Sequence, residues 1–184
     1  MKMKIFLILI FIFVKFHQIY STNNYSISSK FLKDINTKTL SSSPGSSIII
    51  QNHETKPILL FSAYDNIHGR ELWKTDGTKR GTKLVKDINP FIYKHDEIQI
   101  PSSSSPYFFT TINNNSTAIF STGGELWETD GTEEGTKLIK DINSYIPSNF
   151  VIFNNLLYFI VQDRINGNKL WETDGTEFFI IFCL

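Results

Sequence analysis

The chain is poor in cysteine and has no excess charge of either sign. Its 184 residues contain one cysteine, Cys183, so no disulfide can form within the chain and packing has to supply the stability. Lysine plus arginine equals aspartate plus glutamate, 18 each, and no basic tract is present. We therefore expect no attraction to nucleic acid or to an anionic membrane surface.

The sequence also lacks the usual signatures of catalysis. Outside residues 1–21 the histidines show no metal-ligand spacing, and there is no G-x-S-x-G motif, phosphate-binding glycine loop or cysteine–histidine pair. Glu71 and Glu125 align with Lys169, so the three repeats do not share an acidic residue that could act in catalysis. His68 aligns with Asn166 and is interpreted as an ordinary turn residue. We expect the protein to have no enzymatic activity and to bind no cofactor.

Residues 1–21 have the pattern of a secretory signal. Lys2 and Lys4 precede an apolar run from Ile5 to Val14, and Ser21 suits the position before cleavage. The apolar run would span about 15 Å as a helix, half of a bilayer core. We expect a cleaved signal, no stable membrane span afterwards, and a secreted or cell-surface location; an uncleaved anchor and a buried core strand are the alternatives.

Three Asn-X-Ser/Thr triplets fit an exported chain. They begin at Asn24, Asn114 and Asn115, and the last two lie in a stretch typical of an exposed turn. Such triplets arise often by chance in a chain rich in asparagine and serine. We predict N-glycosylation at these asparagines, with Asn114 and Asn115 the better placed.

One motif recurs along the chain. Trp73, Trp127 and Trp171 each follow leucine and precede Lys/Glu-Thr-Asp-Gly-Thr, and the tetrapeptide "KDIN" also occurs three times. The spacing between the motifs changes only where the segment "IPSSSSPYFF" of one unit has no counterpart in the next. A loop-length change inside a fixed motif frame is typical of a repeat array.

Within a unit the local pattern is that of β-strands. We assign four short antiparallel strands: a ("SIIIQ"), b ("PILLFSAY"), c ("RELWKT") and d ("TKLVKDI"). The b strands are continuously apolar and should be buried on both faces. Four-stranded units of this length predict an all-β fold, a β-propeller-like and incomplete array of about three antiparallel blades, with a β-sandwich as the alternative.

This frame gives the expected organisation of the chain. We place a short polar segment at 22–30, the repeat region at 31–176 with a lone d strand at 31–36, blade 1 at about 45–89, blade 2 at about 98–143, a partial blade 3 at about 149–176, and a divergent apolar tail at 177–184. If a ring forms, the lone d strand should pair beside strand c of the third unit around Trp171. Self-association, for example of two chains into a six-blade ring, could complete the propeller.

The acidic motif itself predicts a hairpin turn. Asp76 can accept hydrogen bonds from backbone N–H groups just ahead, and Gly77 and Gly81 provide φ values that a Cβ resists. Trp73 offers an apolar plate between units, with its N–H free to bond a loop acceptor. Because the motif recurs once per unit, whereas a catalytic acid occurs once per site, we predict structural turns, with per-blade calcium and catalysis as alternatives. The predicted turn residues are Trp73, Asp76, Gly77, Trp127, Asp130, Gly131, Trp171, Asp174 and Gly175.

The stretches "ELWKTDGTKRGTKLVKDIN" and "ELWETDGTEEGTKLIKDIN" resemble the ELWxxDGT repeat, a family of tandem repeats in exported, β-propeller-like proteins. The resemblance covers roughly residues 31–176 and implies a secreted or surface location, with no defined reaction, cofactor or partner. The turn also resembles the Asp-box hairpin of sialidases, although here the tryptophan precedes Asp-Gly.

The segment "NPFIYKHDEIQIPSSSSPYFF" belongs to one unit only, and such loops often carry binding specificity. Tyr93, His95 and Tyr107 are therefore the predicted ligand contacts. The expected function is a secreted, non-enzymatic module that binds an extracellular protein or glycan. A truncated gene product without independent function and a fragment of a sialidase-like carbohydrate-active enzyme are the alternatives.

Overall fold

The computed structural model describes residues 28–37, 40–51, 56–96, 98–142, 146–163, 167–175 and 180–183. Within these ranges the protein is all-β, with its strands in four antiparallel sheets and no helix, which confirms the predicted class. The described residues contain no helix that is long and apolar enough to cross a bilayer. The predicted signal at 1–21 and Asn24 lie outside the described residues.

The strands follow the predicted order a–b–c–d three times. The first sheet contains β1 Ser47–Ile50, β2 Ile58–Asp65, β3 Gly69–Thr75 and β4 Lys83–Lys86. A separate hairpin pairs β5 Ile92–His95 with β6 Ile98–Pro101. The second sheet contains β7 Tyr107–Ile112, β8 Thr117–Thr122, β9 Glu125–Thr129 and β10 Lys137–Asp141, and the third contains β11 Pro147–Phe153, β12 Leu156–Asp163, β13 Gly167–Thr173 and β14 Ile180–Cys183.

Two of the tight turns consist of residues with positive φ. Gly123 and Gly124, which join β8 to β9, have φ values of 37° and 122°. Asn154 and Asn155, which join β11 to β12, have φ values of 51° and 62°. Asparagine and glycine are the residues that adopt positive φ most readily, so both hairpins close in two residues.

The c–d pairs of the first and second sheets carry a bulge at the same place. Leu72 lies opposite Lys86 and Trp73 opposite Leu84, which leaves Val85 without a partner residue. The second sheet repeats this irregularity around Ile139. Val85 and Ile139 are both buried, so the bulge turns an apolar side chain of the outer strand into the core.

The sheets stack in chain order. Leu60, Leu72 and Val85 of the first sheet pack with Ala118 and Phe120 of the second. On the opposite face of the second sheet, buried residues meet the third sheet in one further cluster: Ile119, Leu126, Ile139, Ile142, Leu157, Phe159 and Val161. The central b strand β8 is therefore buried on both faces.

The motif tryptophans lie at these contacts between units. Trp127 packs against the cluster of the first and second sheets, and Trp171 against that of the second and third. Trp73 packs with Ile35, which precedes the first sheet. Trp127 and Trp171 thus supply apolar surface between sheets, and the Trp127 N–H donates to Glu125 of its own strand at 2.8 Å, not to a loop acceptor.

Several predicted boundaries are wrong. Residues 31–36 form no strand, and the edge of β13 at Trp171, where they were expected, is paired with β14. Ile180–Cys183 of the apolar tail thus supply the fourth strand of the third sheet. The second sheet begins at Tyr107 instead of about residue 98, since residues 98–101 belong to the β5–β6 hairpin.

Candidate functional site

The c–d turn of the first sheet is held by a compact set of hydrogen bonds. Oδ1 of Asp76 accepts from the backbone N–H of Thr78 at 2.9 Å and from its hydroxyl at 2.7 Å. The Thr78 hydroxyl oxygen then accepts from the Gly81 N–H at 2.9 Å. The hydroxyls of Thr75 and Thr82 meet at 2.8 Å across the base of the turn. The two hydrogen bonds from Thr78 hold the pKa of Asp76 below its usual value.

The second sheet reproduces the same bonds. Asp130 accepts from Thr132 at 2.8 and 2.7 Å, Thr132 accepts from Gly135 at 2.9 Å, and Thr129 meets Thr136 at 2.8 Å. In the third sheet, Gly175 N–H bonds the Thr173 hydroxyl at 3.0 Å, as Gly131 N–H bonds Thr129. We call residues 75–82, 129–136 and 173–175 the DGT turns. Their geometry is that of a structural element, because the side chains are committed to the turn itself.

The two glycines of a DGT turn serve different purposes. Gly77, Gly131 and Gly175 have φ values of 83°, 84° and 92°, as the turn prediction required. The expectation of a second positive φ at Gly81 is wrong. A Cβ at Gly81 would instead overlap the carboxylate of Asp76, and one at Gly135 that of Asp130. The second glycine is needed for space, so that the aspartate can lie over the backbone.

The DGT turns of the first and second sheets also receive groups from the segment that precedes each of them. Lys33 Nζ donates to the Thr82 carbonyl at 2.6 Å, and Lys86 Nζ donates to the Thr136 carbonyl at 3.1 Å. Both lysines come from a "KDIN" tetrapeptide. Lys74 of the first sheet donates to the carbonyl of Gly131 in the second. Sequence reasoning missed these links, although the recurrence of lysine before Asp-Ile-Asn was a visible signal.

The opposite end of the first sheet carries the features that occur once. Here residues 102–105 run beside the start of β3. The Arg70 N–H donates to the Ser103 hydroxyl at 2.8 Å, and the Ser105 N–H donates to the Arg70 carbonyl at 3.0 Å. A Cβ on Gly69 would overlap the backbone of Ser102. The serine-rich segment is therefore packed down at the base of the β5–β6 hairpin.

Glu71 is the central anchor of this end. Its side chain is fully buried and accepts from the Ser104 N–H at 2.8 Å, the Ile88 N–H at 3.0 Å and the Ser104 hydroxyl. Burial raises the pKa of Glu71, and the hydrogen bonds from Ser104 and Ile88 offset only part of that effect. The sequence comparison had set Glu71 aside because its counterparts are Glu125 and Lys169.

An aspartate–histidine pair lies at the same end. Asp65 accepts from the N–H groups of Ile67 at 2.8 Å and His68 at 2.6 Å, and its second oxygen lies 2.8 Å from His68 Nδ1. Burial opposes ionisation of Asp65, but the bonds with His68 and Ile67 outweigh it and lower the pKa. Burial raises the pKa of Asp87, which interacts electrostatically with both residues. His68 thus lies in the predicted turn, held by Asp65.

The predicted ligand contacts fall into two different sheets. Tyr93 and His95 lie on β5 and are exposed, whereas Tyr107 begins β7 of the second sheet and is half-buried. The Tyr107 ring packs edge-on against Phe108 at 5.1 Å, and burial raises its pKa. Tyr93 and His95 therefore share a surface that Tyr107 does not.

The predicted glycosylation sites Asn114 and Asn115 lie in the exposed β7–β8 turn, with φ values of 55° and 64°. Asn115 Oδ1 accepts from the Thr111 hydroxyl at 2.6 Å. Asn115 also borders an open groove of about 540 Å³ between this turn and β1.

Among the described residues, no three His, Cys, Asp or Glu side chains are grouped so that they could hold a metal ion. The chain matches no protein-family model, and no curated protein matches it. The function has to be argued from the surface of the molecule.

Proposed function

We propose that the protein is an exported, non-enzymatic binding module of propeller-like blades, and that the β5–β6 hairpin contacts a protein partner. The stacking of three similar four-stranded sheets supports the blade arrangement. The apolar run at 5–14 supports export. The single observation that carries the binding role is the exposed apolar face of the hairpin.

That face is defined by strand pairing. Tyr93 lies opposite Ile100 and His95 opposite Ile98, and side chains on facing residues project to the same side of a hairpin. We call Tyr93, His95, Ile98 and Ile100 the hairpin face. The exposed fractions of Tyr93, Ile98 and Ile100 are 68%, 64% and 47%. Contiguous exposed apolar side chains of this kind mark interaction sites in soluble proteins.

The composition of the hairpin face favours a protein partner over a glycan. Two of its four side chains are isoleucines, whose aliphatic surface gains most by contact with another apolar surface. The tyrosine adds a large contact area with a polar hydroxyl, as at the centre of many protein interfaces. The anchoring of residues 102–105 by Glu71 holds the base of the hairpin in place, which limits the entropy lost on binding.

Site-specific photocrosslinking tests this proposal. A benzophenone amino acid at Tyr93, in the chain without residues 1–21, should crosslink one defined extracellular protein. The same probe at Lys79, an exposed residue of a DGT turn, is the control and should give no such product. The Ile98→Ser/Ile100→Ser variant should lose the crosslink while keeping its circular dichroism spectrum.

A glycan array with the same proteins separates the alternatives. Binding to a glycan that disappears in Ile98→Ser/Ile100→Ser would replace the protein partner by a carbohydrate. Equal crosslinking from positions 93 and 79, or crosslinking that survives the double substitution, would show that the hairpin face is not the binding surface.

A further inference from the structure

The two contacts between neighbouring sheets are built from the same five positions. One comes from each of strands a, b, c and d, and the fifth is the isoleucine of "KDIN". They are Ile50, Leu60, Leu72, Val85 and Ile88 where the first sheet meets the second, and Ile112, Ile119, Leu126, Ile139 and Ile142 where the second meets the third. We call each such set a junction.

The outer face of the third sheet carries the a, b and c positions of one more junction. Leu170 lies opposite Ile160 as Leu72 lies opposite Ser62. Phe153 is the last paired residue of β11, and Ile50 is the last paired residue of β1, so the two positions are equivalent. Leu72 is fully buried, but Leu170 is 45% exposed and Phe153 is 61% exposed. The b position is Tyr158, which lies 6.3 Å from Phe153 between ring centres.

Residues 31–36 carry the remaining positions of a junction, on the first sheet. Lys33 bonds Thr82 as Lys86 bonds Thr136. Ile35 packs on Phe61, as Ile88 packs in the cluster that contains Phe120. Leu32, the counterpart of Val85, is half-buried. This segment therefore occupies the place of a preceding unit's outer strand, whose a, b and c strands are not present beside it among the described residues.

We infer that the two half-junctions bind each other in a second copy of this chain. The face of β11–β13 in one copy would cover residues 31–36 and the first sheet of the other. Residues 31–34 would then pair with the edge of β13, with Lys33 opposite Leu170 as Lys86 is opposite Leu72. That edge is paired with β14 in the single chain, so association exchanges β14 for the partner's segment. The contact is head-to-tail and extends the existing stacking of sheets.

The single native cysteine allows the pairing of β13 to be followed by disulfide formation. Leu170 lies opposite Cys183 in the single chain, so an intrachain disulfide in Leu170→Cys shows that β13 is paired with β14. Lys33→Cys/Leu170→Cys in a Cys183→Ser background reports the exchanged pairing. Under mild oxidation we expect the latter to give covalent dimers. Lys33→Cys/Leu138→Cys in the same background is the control, because Leu138 is also 45% exposed.

Sedimentation provides the second measurement and does not depend on the hairpin ligand. The molar mass of the chain without residues 1–21 should rise with concentration above that of one chain. Leu170→Asp should remain at the mass of one chain, and Leu138→Asp should behave as the wild type. A wild type that stays monomeric at the highest attainable concentration, or dimers cross-linked equally through positions 138 and 170, would overturn the inference.

Discussion

The two ends of the first and second sheets differ in how closely their structure repeats from one sheet to the next. At the end with the DGT turns, the first and second sheets share the same hydrogen bonds to within 0.1 Å, as in the pairs Thr78–Asp76 and Thr132–Asp130. At the opposite end, Glu71 is buried under the serine-rich segment, whereas its counterpart Glu125 bonds Trp127 and Thr122. The repeated end holds the sheets together, and the end that varies carries the hairpin.

The largest effect should come from filling the space in a DGT turn. Gly135→Ala places a Cβ inside the Asp130 carboxylate, and such overpacking costs about 1–3 kcal/mol of the free energy of unfolding. Urea unfolding of Gly135→Ala, Asp130→Ala and the double variant measures it. If the cause is steric, the double variant should be less destabilised than the sum of the single ones. Additive losses would show that Gly135 is needed for another reason.

A pH-dependent effect should follow at the other end. Because the pKa of Glu71 is raised in the folded protein, its proton is bound more tightly there than in the unfolded chain. The contribution to stability is therefore largest below pH 4.5, the ordinary pKa, and is lost as the pH rises through the folded value. Relative to Glu71→Gln, the wild type should lose stability over that rise.

Urea unfolding of both proteins across pH 4–7 tests this effect. Below the ordinary pKa both side chains are neutral, so the difference there isolates the change in hydrogen bonding. A difference between the two proteins that stays constant with pH would contradict the raised pKa.

A smaller loss is expected from removing one link between sheets. Lys86→Met keeps the aliphatic stem but removes the donor to the Thr136 carbonyl, at a cost of about 0.5–1.5 kcal/mol. Lys79→Met, in the same sheet but exposed, is the matched control. Equal unfolding midpoints for the two variants would mean that the link adds no stability.

The smallest change in stability is expected on the hairpin face. Tyr93→Ser and Ile98→Ser alter exposed side chains, so the free energy of unfolding should stay within about 0.5 kcal/mol of the wild type. Thermal unfolding followed by circular dichroism checks this. A loss as large as that of Gly135→Ala would show that the hairpin supports the fold, which would remove the contrast between the two ends.

The repeated end could be predicted from the sequence and the varying end could not. Asp-Gly followed by threonine specifies its own turn through local hydrogen bonds, so Asp76 and Gly77 were placed correctly. The role of Gly81 was predicted wrongly, because a glycine in the sequence can indicate either a positive φ or a side chain that lies too close for a Cβ. Glu71 was set aside because it aligns with Lys169, and no local pattern connects it to its partner Ser104, which lies 33 residues along the chain.

The strands were predicted better than their edges. Alternating and continuous apolar runs fix where β2 and β12 lie, but the partner of an edge depends on which segments compete for it. Residues 31–36 resemble an outer strand and Ile180–Cys183 do not, yet the latter pair with β13. Likewise Tyr93, His95 and Tyr107 are close in sequence, but the first two belong to the β5–β6 hairpin and Tyr107 to the second sheet.

The lysine of "KDIN" has a consequence for how the chain reaches its native state. Lys33 donates to the DGT turn of the first sheet and Lys86 to that of the second. Each structural unit therefore includes a lysine that precedes its own four strands in the sequence. Nearest-neighbour coupling of this kind makes order propagate along an array. In amide hydrogen exchange, the protection of Thr136 should therefore change together with that of β4. Such coupling would show that the two segments unfold as one cooperative unit across the boundary between two repeats.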